Sequence, residues 1–306
     1  MWIECWCERN SVAARDSAVF GDNFTVEKSE AESAVPVALK ERFLGKECVS
    51  MAGYCLFDEN VGVYEKWRPR YVEDMYSDII AYASLSSQSS AIEIGIGTGQ
   101  ATEPFLRTGC AVTAIEIGKN LAEFVSCRYA GYPKFRVENT SFEEFAFEPQ
   151  TVDLIYSATA FHWIPSEIGY PKAFDLLRSG GSIALFWNRP FVNRSNDPLH
   201  KEIQSVYMKY RGEVRTQPEY DENKYRSVQD AMSHYGFVDV RLKLYHTTRQ
   251  FSGDDYVGLL NTYSDHLNME TSMRLRFEAD IKKAIESFGG IVTVYDTIDL
   301  HMGRKP

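Results

Sequence analysis

The sequence predicts an α/β fold built on a mostly parallel sheet with helices on both faces. Three observations carry that prediction. Short apolar runs recur between segments of helical spacing, the alternation that successive βα units produce. Several of these runs are continuous rather than strictly alternating, as strands covered on both faces are. One run, "AIEIG", passes straight into "IGTGQ", so glycines at 95, 97 and 99 fall where a strand turns into a helix.

The elements follow in order. "RYVEDMYSDIIAYAS" sets Val72, Met75, Ile79 and Ile80 at helical spacing, and the Ser-rich "SLSSQSS" ends that helix. The strand "AIEIG" and the glycine turn lead to a helix from about Gln100 to Thr108, a strand "AVTAIEI" at 111–117, and a helix from about Lys119 to Arg128. "FRVEN" reads as a third strand and "TVDLIYSA" as a fourth. "YPKAFDLLRSG" reads as a helix ending at a glycine pair, and "GSIALFWN" as a fifth strand. "DPLHKEIQSVYMKYRGE" then has the pattern of an inserted amphipathic helix. "GFVDVRLKLYHTTRQFS" and "IVTVYDTIDLHMGRK" alternate as two closing strands, with two more helices between them. Residues 8–34 hold few apolar anchors, and 1–55 are expected as a partly helical or loosely ordered extension. The folded domain is expected over 56–306, with helical insertions at about 190–223 and 253–289.

Composition narrows the partners. The 306 residues carry a net charge of −10, so a polyanionic nucleic acid is not an expected partner. No apolar run approaches a membrane span, and the start lacks a basic region followed by an apolar one, so a cytoplasmic chain that meets no membrane is expected. Cys5, Cys7, Cys48, Cys55, Cys110 and Cys127 form no CxxC pair. They read as free thiols, and no metal site is expected.

The glycine turn points to a ligand. Gly95, Gly97 and Gly99 permit a tight turn and let a ligand approach the backbone and the helix N-terminus. By themselves they also suit a bare βα turn or a dinucleotide site. Glu116 ends the next strand, where a carboxylate accepts hydrogen bonds from both hydroxyls of a ribose. Glu93 lies in the glycine-loop strand itself, where a carboxylate repels a pyrophosphate and suits a cation. Gln100 also breaks the glycine pattern of a nicotinamide-dependent oxidoreductase. A nucleoside with a positive centre and no phosphate fits these residues, and S-adenosylmethionine is such a molecule.

"EIGIGTG" followed by "AIEIG" resembles motifs I and II of class I S-adenosylmethionine-dependent methyltransferases, and the resemblance covers roughly residues 60–305. It implies a Rossmann-like, seven-stranded, mostly parallel sheet with the last strand antiparallel and helical insertions forming a lid. It also implies S-adenosylmethionine as cofactor and S-adenosylhomocysteine as product. In that family the glycine loop, here Gly95, Gly97, Thr98 and Gly99, lies under the methionine moiety, with Glu93 in the strand before it. The acid matching Glu116 holds the ribose and its neighbour Ile117 packs on adenine. "YEKWRPRY" is similar to an N-terminal segment of small-molecule members, which brings Tyr64 and Arg68 towards the methionine carboxylate. Where many relatives place an acid against the adenine amino group, this chain has Ser141 followed by Phe142. Ser157, at the end of strand four, completes the implied cofactor set.

"DLIYSATAFHWI" resembles the fourth motif of the trans-aconitate methyltransferase-like branch, whose acceptors are small organic molecules, carboxylates included. The likeness makes His162 the candidate catalytic or positioning residue and Trp163 a pocket wall. Asn188 and Arg189 at the end of strand five, and Tyr263 and His266 in "TYSDH", are further candidate substrate contacts. The expected protein is thus a monomeric or weakly dimeric methyltransferase acting on a small molecule. A protein that keeps the cofactor site but serves as a binding or regulatory module has the same motifs.

Overall fold

The computed structural model describes residues 58, 61–214 and 219–306, all within the unit Ser50–Pro306. The expected extension at 1–55, with Cys5, Cys7, Cys48 and Cys55, lies outside the described residues. Helix α1 (Val61–Trp67) and α2 (Glu73–Ala83) lead into β1 (Ser90–Ile94), α3 (Glu103–Leu106), β2 (Ala111–Ile115), α4 (Lys119–Arg128), β3 (Phe135–Glu138) and β4 (Val152–Ala158). A 3-10 turn at Phe161–Trp163 precedes α5 (Ser166–Leu176) and β5 (Leu177–Phe191). Then come α6 (Pro198–Arg211), α7 (Glu222–His234), β6 (Val238–Ser252), α8 (Gly253–Leu260), α9 (Ser264–Leu267), α10 (Thr271–Ser287) and β7 (Ile291–Arg304).

The seven strands form one sheet in the order β3-β2-β1-β4-β5-β7-β6. Strands β1 to β5 pair parallel, while β7 runs antiparallel to both β5 and β6. Chain order reverses between β1 and β4, which opens a crevice at their carboxyl ends. This is the Rossmann-like architecture the sequence predicts.

Each face of the sheet buries its own core. Ala91, Val112, Leu154, Tyr156 and Phe186 pack under α2 and α3 on one face. Ile92, Ile94, Ile155, Ile183, Leu185 and Trp187 pack under α5 and α7 on the other. The switch of face from one residue to the next follows from the twofold period of a strand. Leu154 is fully buried, so Leu154→Ala is expected to cost about 2–5 kcal/mol. A third core joins Ile203 and Tyr207 of α6, Leu260 of α8, Phe277 and Ile281 of α10, and Val292 and Val294 of β7. The inserted helices therefore pack together at the end of the antiparallel β6–β7 pair where β6 finishes and β7 begins.

Two elements differ from the sequence reading for local reasons. Helix α3 spans only Glu103–Leu106, because Pro104 lies in its first turn and the left-handed Gly109 follows closely. Strand β5 runs from Leu177, so the glycine pair 180–181 sits within it rather than ending α5.

Candidate active site

At the end of β1 the chain enters three glycines with φ of +69°, +58° and +84°. At Gly95 a Cβ would lie 2.5 Å from the Cβ of Ala160, and at Gly99 one would lie 2.7 Å from the Tyr129 ring. The loop is thus pressed against both β4's exit and α4, and only glycine fits. Tyr129 fixes it further by donating from its hydroxyl to the Gly99 carbonyl over 2.8 Å.

Glu116 follows β2 and is almost fully buried. One carboxylate oxygen accepts from the Gly97 amide (2.8 Å) and the other from the Gly118 amide (2.9 Å). Burial raises its pKa, while those backbone bonds pull the other way. Each oxygen retains a lone pair, so the carboxylate still offers the acceptors that the two O–H donors of a ribose diol need. Ile117, beside it, is 45% exposed and leaves an apolar face open to a ring.

Glu93 is placed differently from its role as a bare anion. It is buried, and one oxygen accepts from both Thr102 and Tyr156 at 2.8 Å each, while its Oε1 has no partner. Burial raises its pKa to about 8, with Glu116 adding to the shift. The unliganded protein therefore holds Glu93 largely as a neutral acid at pH 7, and a nearby cation favours its ionised form.

A cleft opens above the glycine loop, lined in part by Tyr64, Arg68, Tyr71, Gly97, Thr159, Asn188 and Tyr263. Arg68 donates to the Thr262 carbonyl (2.7 Å), with its guanidinium 4.7 Å from the Tyr64 ring and 5.0 Å from the Tyr263 ring. This ties α1 to the turn between α8 and α9, so inserted and N-terminal elements close the same cleft. Tyr71 and Thr159 share a hydrogen bond of 2.9 Å. Thr159 has a φ of +56°, an uncommon conformation for a threonine, at the point where β4 leaves the sheet.

His162 lies just beyond, in the 3-10 turn, with one side open to solvent. Its Nδ1 accepts from the indole Nε1 of Trp187 over 3.1 Å, and its ring lies 5.0 Å from that of Trp163. Desolvation, joined by the positive charges of Lys224, Arg189 and Arg68, lowers its pKa to about 4. Arg189 is committed to Asp299, with bonds of 2.5 and 2.9 Å, and Asp299 also contacts His301 at 3.1 Å.

The structure brings Tyr64, Arg68, Gly95, Gly97, Asn188 and Tyr263 to one cleft. Other candidates sit elsewhere. Thr98 is buried and pairs with Gln100. Ser157 donates to the Ile94 carbonyl inside the sheet (2.9 Å). Ser141 accepts from the Glu144 amide, and Phe142 is buried in the core under α5. His266 is buried among the inserted helices, bonded to Tyr207 (2.8 Å) and Asp265 (3.0 Å). Two residues the sequence did not single out support the site. Asp58 accepts from the Leu121 amide (2.9 Å), capping α4 just past Glu116. Glu65 joins α1 to Arg128 (2.6 Å) and to Gln100 of the glycine loop (3.4 Å). Both reach across more than thirty positions in the chain, so no spacing pattern marks them.

Residues 92–185 match the profile of a methyltransferase domain. That segment carries an S-adenosylmethionine-dependent methyltransferase domain. An uncharacterized methyltransferase of Schizosaccharomyces pombe is 20% identical over 239 residues, covering 76% of this chain and 87% of that protein. A probable S-adenosylmethionine-dependent methyltransferase of Saccharomyces cerevisiae is 28% identical over 151 residues. That alignment covers 48% of this chain and 50% of the yeast protein. The fold is shared with a putative type II methyltransferase of Anaeromyxobacter dehalogenans, with a TM-score of 0.53 and 20% identity over 78% of this chain and 97% of that one. The residues of the methyltransferase cleft fit the cofactor on their own chemistry: a two-oxygen acid after β2, a loop without side chains, and a buried carboxyl with an unused oxygen.

Proposed function

We propose that the methyltransferase transfers a methyl group to a small-molecule acceptor bearing a carboxylate, at the carboxyl ends of β4 and β5. S-adenosylmethionine, when bound, supplies a methyl group already activated on a sulfonium. Glu116 is positioned to hold the ribose, and Gly95 and Gly97 leave room for the methionine chain. Ile117 offers a surface to adenine, while Tyr64 and Arg68 stand at the methionine end. With the methyl group so activated, alignment and exclusion of water supply much of the catalysis. Tyr64, Tyr71 and Tyr263 narrow the cleft to that end.

The observation that carries the reading is the bond from Trp187 to His162. An indole nitrogen only donates, so Nδ1 is the unprotonated nitrogen and the neutral ring keeps its proton on Nε2. In that state His162 donates a hydrogen bond and takes no proton. A carboxylate is nucleophilic at neutral pH and needs no base, and the Lys224, Arg189 and Arg68 charges around His162 suit an anion. The net charge of −10 and the narrow cleft favour a small acceptor over RNA or DNA. The proposed enzyme works as a monomer or weak homodimer in the cytoplasm. Among the described residues no helix is long and apolar enough to cross a membrane. The test is partition of radioactive methyl between low-mass extract components and added tRNA or protein. Label confined to the low-mass fraction supports the reading, and label on the polymers at higher rates contradicts it.

A further inference from the structure

Asn188 lines the cleft, and neither its Oδ1 nor its Nδ2 has a hydrogen-bond partner or meets solvent. Its neighbours in the cleft are engaged. Tyr71 bonds Thr159, Gln100 bonds Glu65, and Arg68 bonds the Thr262 carbonyl. The Asn188 backbone is equally committed: its amide reaches Thr159 Oγ1 at 3.4 Å, and its position on β5 pairs with Ile298 of β7. Strand register therefore fixes where the side chain stands, while the amide itself pairs with nothing. A buried amide with both capacities unused is costly to the unliganded fold. Leucine, of nearly the same size and with no polar atoms, would remove that cost.

We infer that Asn188 reads the methyl acceptor, through a neutral group that presents a hydrogen-bond donor and acceptor side by side, as a carboxamide or lactam does. This rests on the proposed transfer to a small molecule and adds a second recognised group to the carboxylate near His162. A primary amide displays one donor and one acceptor in a plane, so its full complement is a group with the opposite pair. A carboxylate alone would leave Oδ1 unmatched, and an ammonium alone would leave Nδ2 unmatched. The position favours the acceptor over the cofactor. Glu116 marks the ribose end after β2, whereas Asn188 lies on β5, on the far side of β1 and β4. His162 follows β4, the strand that pairs with β5, and is bonded by Trp187, the residue before Asn188.

The test compares the wild type with Asn188→Leu and Asn188→Asp, using a low-mass metabolite extract and S-adenosylmethionine labelled in its methyl group. Product is read by mass spectrometry, beside melting temperature and S-adenosylhomocysteine titration. The expected wild-type product contains an amide- or lactam-type group. Asn188→Leu should form that product at least about tenfold more slowly at low extract concentration, the loss of one or more matched hydrogen bonds. Its melting temperature should be equal or higher and its S-adenosylhomocysteine affinity unchanged. Asn188→Asp, which only accepts, should also lose that product. Unchanged labelling in Asn188→Leu, a product without such a group, or weakened S-adenosylhomocysteine binding would each overturn the inference. A wild type that labels nothing in the extract overturns the proposed function and the inference with it.

Discussion

The indole of Trp187 holds His162 by Nδ1 at 3.1 Å, so the proton of the neutral imidazole points outward on Nε2. A strand residue thereby decides whether a loop histidine gives or takes a hydrogen bond. With its pKa lowered to about 4, His162 is neutral near pH 7. Accordingly kcat should show no limb near the ordinary imidazole value of about 6.5. His162→Asn should raise KM by about tenfold with a smaller change in kcat, as a lost positioning bond does. A rising limb near 6.5 together with a loss of about 10² in kcat would make His162 a base.

Glu116 bridges the amides of Gly97 and Gly118, so replacing it disturbs both the ribose contact and the loop. Glu116→Ala should weaken S-adenosylhomocysteine binding by about 1–3 kcal/mol in calorimetry. NADH should show no binding to the wild type in the same experiment.

Glu93 gives a pH signature. Its folded pKa of about 8 lies above the ordinary glutamate value of 4.5, so the folded state keeps a proton that the unfolded state has lost. Stability from this group is full below about 4.5 and is lost as pH rises towards and through 8. Chemical denaturation of the unliganded protein should show that decline, and Glu93→Gln should flatten it. A wild-type curve identical in shape to that of Glu93→Gln would show that Glu93 titrates normally.

Arg189 and Asp299 form a buried pair, with side chains 11% and 0% exposed. Removing one partner strands the other, so Asp299→Ala should lower stability by about 3–5 kcal/mol in a denaturant titration. Arg189 is then a strut across β5 and β7 whose charge reaches the site through its field, and a change below about 1 kcal/mol would contradict that role.

The parts written locally were legible in the sequence. The run 91–99 announced the strand and its glycine turn, and α4 covers the predicted Lys119–Arg128. The closing strands were visible as alternation because one of them, β6, lies at the sheet edge with many exposed positions. Relationships made by tertiary packing were not legible. The left-handed Thr159, the Asp58 cap on α4 and the unmatched amide of Asn188 have no local signature. Glu93 shows the same limit: its place in the motif was readable, but its neutral state depends on burial beside Thr102 and Tyr156. His266 likewise read as a cleft residue by its spacing from Tyr263, yet it turns into the helical layer towards Tyr207.

The most direct measurement of the central claim is alkali lability of the transferred label. Product made from methyl-labelled S-adenosylmethionine and low-mass extract is treated with base, and volatile labelled methanol is collected. Transfer to a carboxylate gives a methyl ester, so the account predicts that most of the low-mass label is released as methanol. Label that stays in the low-mass product after base would place the methyl on nitrogen, carbon or an ether oxygen and would contradict it.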